Sequence, residues 1–225
     1  MLENGLCRPI DKAAQQKFET GLFDDLNKSN TKSYLEEIFE IAGYGFRGER
    51  YILPVEPWTD KKWKFATGKK IVGLNTGCGG RWISRLWPEA YWAQLAVKLK
   101  KFGYEVVLLG GEQEDQQNRR LEKKTKALYF GFYTLPRFIN LMNHCDLVVT
   151  AVTMAMHITI GLDKKIVLFN NIFNRNEFEL YGLGKILEPD FECNCYFSPT
   201  CKNNCIQYLK PERVVSAVQE LLKIK

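Results

Sequence analysis

The chain has 225 residues, 45% of them hydrophobic and 26% charged, with a formal net charge of +6. This is a globular composition, which excludes a disordered, collagen-like or coiled-coil protein, and no apolar run approaches the roughly 18 residues of a membrane span. The positive charge is spread over Lys61–Lys64, Lys98–Lys101, Lys123–Lys126 and Lys223–Lys225, without the dense patch of a nucleic-acid binder, so no nucleic acid is expected as a partner.

At about 150 residues per domain the length is roughly one and a half domains. Residues 1–68 lack a regular alternation of elements. The spacing predicts helices over Pro9–Glu19 and Thr31–Ala42, with Gly43 as a stop. Tyr51–Pro57, with two prolines, reads as an extended connector. Met1–Glu3 opens with an acid and no apolar stretch follows, which reads against a signal peptide. The seven cysteines are then expected in a reducing cytoplasm.

From Lys69 the pattern changes. Strands are predicted at Ile71–Asn75, Glu105–Leu109, Leu147–Thr150 and Lys165–Phe169. Helices are predicted at Pro88–Phe102, Glu114–Lys126, Thr134–His144, Thr153–Ile160 and Pro211–Leu222, with Thr134 as an N-cap. Short apolar strands alternating with helices define an α/β fold with a Rossmann-like parallel sheet. Residues 69–225 would form that domain.

In such sheets ligands bind beyond the carboxyl ends of the strands. The first such loop, Thr76–Arg85, is glycine-rich. Glycines allow close backbone approach to a phosphate, and Arg85 can add a bidentate contact to a diphosphate; a plain tight turn is the alternative. The second loop offers Glu112, Glu114 and Asp115, either for ribose hydroxyls or as an acidic helix start. The third holds Thr153 and His157, four residues apart on one helix. Thr153 reads as a ligand contact or an N-cap, His157 as a site or a structural residue. Cys78 lies in the glycine loop.

Together these residues carry a resemblance. Asn75-Thr76-Gly77 through Arg85-Leu86-Trp87-Pro88, then Leu108-Leu109-Gly110-Gly111-Glu112-x-Glu114, Thr153-x-x-x-His157 with Gly161, and Glu179-Leu180-Tyr181-Gly182, resemble the C-terminal half of glycosyltransferase family 9, the ADP-heptose:lipopolysaccharide heptosyltransferases. The resemblance implies the donor-binding domain of a GT-B glycosyltransferase, with the N-terminal domain largely missing and residues 1–68 its remnant and connector. It implies transfer of a sugar from a nucleotide-sugar, ADP-heptose or similar, to a lipopolysaccharide-core or related acceptor, glycan or lipid-linked, with inversion. Thr76, Gly77, Arg85, Glu114, Thr153 and His157 would bind the donor, and no cofactor would be required. The base would lie in the N-terminal domain, supplied by a partner chain, and a homodimer is the other expected assembly. The enzyme would be cytoplasmic or peripheral at the inner membrane. The sequence departs from the family pattern at Val152, where an Asp is usual, and at Asn170-Asn171-Ile172, where Gly-Pro-Thr is usual. The alternative is an inactive relative that acts as a nucleotide-sugar-binding or interaction module.

Cys193, Cys195, Cys201 and Cys205 have the spacing C-x-C-x₅-C-x₃-C, also similar to the tail of family members. Four thiolates suit a structural tetrahedral zinc. Packed thiols and a disulfide or redox pair are the alternatives.

Overall fold

The computed structural model describes residues 2–3, 6–55 and 63–223. Glu56 and Pro57 of the predicted connector, Lys61 and Lys62 of the first lysine cluster, and Lys225 of the last lie outside the described residues. Two short strands, β1 (Leu2–Glu3) and β2 (Leu6–Cys7), pair antiparallel.

Helices α1 (Lys12–Leu22), α2 (Asp24–Ser29) and α3 (Tyr34–Ile41) follow. The first predicted helix starts three residues late, because Asp11 is its N-cap and accepts from the Ala14 amide at 2.7 Å. Ser33 and Glu36 form a reciprocal capping box on α3, and Gly43 stops it at φ +80°. Inside this layer the buried Glu37 carboxylate accepts from Lys17 Nζ at 2.6 Å and Asn30 Nδ2 at 3.1 Å.

The main sheet comprises β3 (Ile71–Asn75), β4 (Glu105–Leu109), β5 (Leu147–Ala151), β6 (Lys165–Phe169) and β7 (Gly184–Leu187). It is wholly parallel, in the order β4-β3-β5-β6-β7. Its strands are apolar on both faces because helices cover both. Val106 and Leu108 pack with Trp92, Leu95 and Val214, on the side of α4 (Glu89–Lys101) and α8 (Pro211–Leu222). Val107 and Leu109 pack with Phe138, Leu141 and Ile158, on the side of α6 (Leu135–Asn143) and α7 (Met154–Gly161). Helix α5 (Asp115–Thr125) adds Leu121 to the first of these layers.

The parallel α/β fold read from the sequence is the fold observed. The two-residue strands β1 and β2, helix α2 and strand β7 escape that reading. Helix α2 has only six residues and no side-chain cap. Strand β7 has four, with Lys185 in the middle, at the sheet edge. One cap is corrected: Thr134 precedes α6 but its side chain makes no capping bond.

Candidate functional site

The chain leaves β3 in one direction for β4 and returns on the other side of β3 as β5. Loops from these two strands therefore diverge, and a crevice opens above them. Its volume is about 640 Å³, and Asn75, Gly77, Cys78, Arg85, Glu114 and Thr153 supply its polar wall. Tyr133, Leu135 and Phe138 supply an apolar wall.

Asn75, last in its strand, ties two loops together. Its Nδ2 donates to Gly77 O and to Thr150 Oγ1, each at 3.1 Å. Thr153 is the N-cap of α7, its Oγ1 accepting from the Ala155 amide at 3.2 Å, and it also lines the crevice. Glu114 is held by the Gly111 amide, which donates to Oε2 at 2.9 Å.

Arg85 ends the short 3₁₀ turn Ile83–Arg85 and is only 8% exposed. Its Nη2 donates to Cys78 O at 3.2 Å and its Nη1 to Val152 O. The guanidinium lies over the rings of Trp82 and Phe173, at 5.9 and 5.6 Å from their centroids. Among the described residues no carboxylate pairs with it, and its buried Nε has no partner. Burial lowers its pKa, yet a guanidinium stays charged in proteins. A buried cation with no anion beside it is costly.

Other expected residues are placed differently. Thr76 does not reach the crevice: it is 2% exposed, and its Oγ1 donates inward to Asn118 Oδ1 at 2.6 Å. His157 lines a neighbouring cavity instead, with Nδ1 3.2 Å from Tyr51 OH. Asp115 turns outward to Arg119 at 2.9 Å. Arg81, an exposed residue of the glycine loop outside that set, lies over the Trp82 ring. Cys78 lines the crevice, but burial pushes its thiol up to about 11, which keeps it protonated at neutral pH. The sequence reading gave Asn75 and Asn118 no role. The one signal for Asn75 is a polar residue closing an apolar strand.

The four clustered cysteines converge. Their sulfurs all lie within 4.8 Å of one another. Cys193–Cys201 and Cys195–Cys205 are each 3.4 Å apart, well beyond the ~2.05 Å of a disulfide. A tetrahedral ion at about 2.3 Å from each sulfur sets sulfurs about 3.8 Å apart. The Cys205 amide and Asn171 Nδ2 donate to Cys201 and Cys205 Sγ at 3.4 and 3.3 Å, bonds that favour thiolate sulfur. The donor set fits a metal.

A parallel sheet with a glycine loop, a buried cation and a carboxylate gathered at its switch point defines a Rossmann-like α/β domain. The chain belongs to glycosyltransferase family 9 (heptosyltransferase), whose family model matches residues 52–177. It is 26% identical over 167 residues to lipooligosaccharide heptosyltransferase 2 of Campylobacter jejuni subsp. jejuni serotype O:6, covering 68% of this chain and 52% of that protein. The chain thus spans about half the length of the curated relative it matches. A family 9 glycosyl transferase from Veillonella parvula DSM 2008 shares the fold with TM-score 0.59 and 20% identity, over 72% of this chain and 48% of that one. The dodecameric iron-containing heptosyltransferase TibC, solved with ADP-D-β-D-heptose and known from enterotoxigenic E. coli H10407, shares it with TM-score 0.63 and 14% identity, over 85% and 54%.

Proposed function

We propose that residues 69–225 form the nucleotide-sugar-binding part of a heptosyltransferase-type glycosyltransferase. The observation that carries this reading is Arg85, a buried guanidinium without an anionic partner, beside a glycine loop at the switch point. A donor diphosphate lies against Gly77, the amides of its loop and Arg85. The nucleoside extends between Glu114 and the apolar wall of Tyr133, Leu135 and Phe138. As the bond to the sugar breaks, negative charge grows on the leaving diphosphate, and Arg85 stabilises it most when that charge is greatest. The acceptor is a lipopolysaccharide-core or related glycan, met on the open side of the crevice. Transfer itself calls for no metal or cofactor, and no residue of this crevice is assigned the acceptor proton. That group belongs to the N-terminal domain of the family architecture, supplied on this reading by a partner chain. Among the described residues no helix is long and apolar enough to cross a membrane, which agrees with work in the cytoplasm or at the inner membrane surface.

The four cysteines hold a structural metal, zinc or iron, that fixes the tail loop before α8. Its contribution is rigidity.

The test is calorimetric titration with ADP-, UDP- and GDP-sugars. At least one binds, and Arg85→Ala and Glu114→Ala each weaken it about tenfold or more, the scale of a lost charge-assisted hydrogen bond. Binding of none, or binding indifferent to both substitutions, overturns the reading. A second reading, a module that binds the nucleotide-sugar without transferring it, is favoured by Val152, where the family pattern has Asp. It predicts the same affinities with no glycosyl transfer in the presence of acceptor and partner.

A further inference from the structure

Helices α1, α2 and α3 turn their polar residues inward. The buried residue of each is polar: Thr20, Asn27 and Glu37 respectively. No apolar side chain of the three helices is fully buried. Phe18, Leu22, Phe23 and Leu26 instead stand between 43% and 59% exposed. We propose that this apolar face is an interface for a second copy of the chain, with two α1 helices crossing antiparallel about a two-fold axis at Phe18.

A short helix is marginal in water and draws its stability from an apolar face packed on a neighbour. Helix α1 has 11 residues, and its inward face is held by polar bonds. Lys17 Nζ and Thr20 Oγ1 both donate to the Glu37 carboxylate, at 2.6 and 3.4 Å. Phe18 and Leu22, four residues apart, share the outward side. Phe23 follows at the bend and Leu26 in α2. Tyr34 of α3 is not part of the face, because Lys17 already covers its ring at 4.7 Å. Large apolar side chains grouped on one surface mark a place of association.

The charges beside the face select the occupant. Lys12 and Asp24 lie at equal sequence distance on either side of Phe18. Lys12, Asp24 and Asp25 are exposed, and none forms an ion pair among the described residues. The other nearby charges are engaged: Asp11 caps α1, and Lys28 lies over the Tyr196 ring at 4.8 Å. A two-fold axis at Phe18 sets each Lys12 against Asp24 and Asp25 of the second copy. It sets Phe18 against Phe18, and Leu22 against the half-buried Ala14. Such a self-complementary contact closes at two copies. An anionic membrane does not fit the same face, since Glu19, Asp24 and Asp25 repel its headgroups. The interface rests on no reading of the crevice and shares no residue with it.

The full chain is examined by sedimentation velocity from about 1 to about 100 μM, the range of a small and weak interface. A monomer–dimer equilibrium is expected. Phe18→Asp with Leu22→Asp, both exposed positions, leaves a monomer throughout with unchanged helix content by circular dichroism. Lys12→Glu weakens the dimer tenfold or more, and so does Asp24→Lys with Asp25→Lys. All three charge exchanges together bring the affinity back to within about threefold of the parent, because opposite charges again face each other across the axis. That recovery reads the pairing itself, which neither an unfolded layer nor a merely adhesive surface reproduces, and it decides the matter if the acidic variants alter the helices. A monomer at every concentration overturns the proposal, whether or not the protein sediments with phosphatidylglycerol vesicles. So does a dimer that the Phe18 and Leu22 substitutions leave intact, or one that the combined charge exchange weakens as much as the partial ones do.

Discussion

Gly77 has no side chain because Glu114 occupies the space where one would begin. A Cβ there would lie 2.0 Å from Glu114 Oε1 and 2.4 Å from its Cγ. The obstructing atoms belong to a flexible side chain, so Gly77→Ala leaves the chain folded and swings Glu114 out of the crevice. That gives up the 2.9 Å bond from the Gly111 amide, a loss of about 1 kcal/mol. The expected result is a small drop in melting temperature with nucleotide-sugar affinity reduced to the level of Glu114→Ala; unchanged affinity would show that Glu114 does not face the donor. The sequence placed Gly77 and Glu114 in adjacent loops, since both follow strands. It gave no sign that one makes room for the other, a matter of distance across two loops. The inward placement of the Thr76 side chain escapes the sequence for a related reason. A threonine beside a glycine loop suggests a phosphate contact, but its partner Asn118 is a polar residue in the polar helix α5, which reads as solvent-facing and is fully buried.

Between the elements, the cysteine loop and the crevice are joined by Asn171 and by the Ser84 turn. Asn171 Nδ2 donates to Ser84 O at 2.9 Å and to Cys205 Sγ at 3.3 Å. Ser84 also bonds the tail, its amide to Pro199 O at 3.0 Å and its Oγ to Ser198 O at 2.7 Å. Ser84 immediately precedes Arg85. Trp82, Phe173 and Phe197 close the same region, with ring centroids 5.5–5.7 Å apart. A fixed tail loop therefore holds the turn that presents the buried cation. Protein purified without added zinc is expected to carry about one zinc or iron per chain, and Cys205→Ser to lose it. Asn171→Ala should keep the metal yet weaken nucleotide-sugar binding several-fold, through Ser84 and Arg85. Metal analysis and calorimetry separate the two effects, and an Asn171→Ala protein with full affinity would argue against the linkage. The main strands and their covering helices were legible because their apolar runs are long and doubly buried. The tail linkage was not, because Asn171 and Ser84 are 87 residues apart and neither belongs to a periodic pattern.

Across the whole molecule, the N-terminal helices are fastened to the sheet domain by amides. Asn174 Nδ2 donates to Asn27 O and Asn30 O at 2.6 and 2.7 Å. These two bonds are uncharged, while Asn27 Nδ2 also donates to the Glu177 carboxylate at 2.9 Å. Both histidines of the chain titrate near neutrality, as does Cys201, whose thiol is lowered to about 7 by hydrogen bonds from the Cys205 amide and the neighbouring thiols. His144 lies against the rings of Trp63 and Phe65, and His157 against Tyr51. Desolvation lowers the pKa of both below the ordinary 6.5. A histidine depressed in the folded state binds its proton more readily when unfolded, so acid favours unfolding. Stability is complete above the unfolded value of about 6.5 and falls as pH drops through the folded values. A second loss follows below about 4.5, where hydrogen bonds hold the carboxyls of Glu89 and Glu212 under their ordinary value. Urea midpoints should thus decline between pH 7 and pH 5, then more steeply in stronger acid. Replacing both histidines with asparagine should flatten the first limb and leave the second. A midpoint constant from pH 7 to pH 5 in the parent protein would contradict the assignment of that limb to His144 and His157.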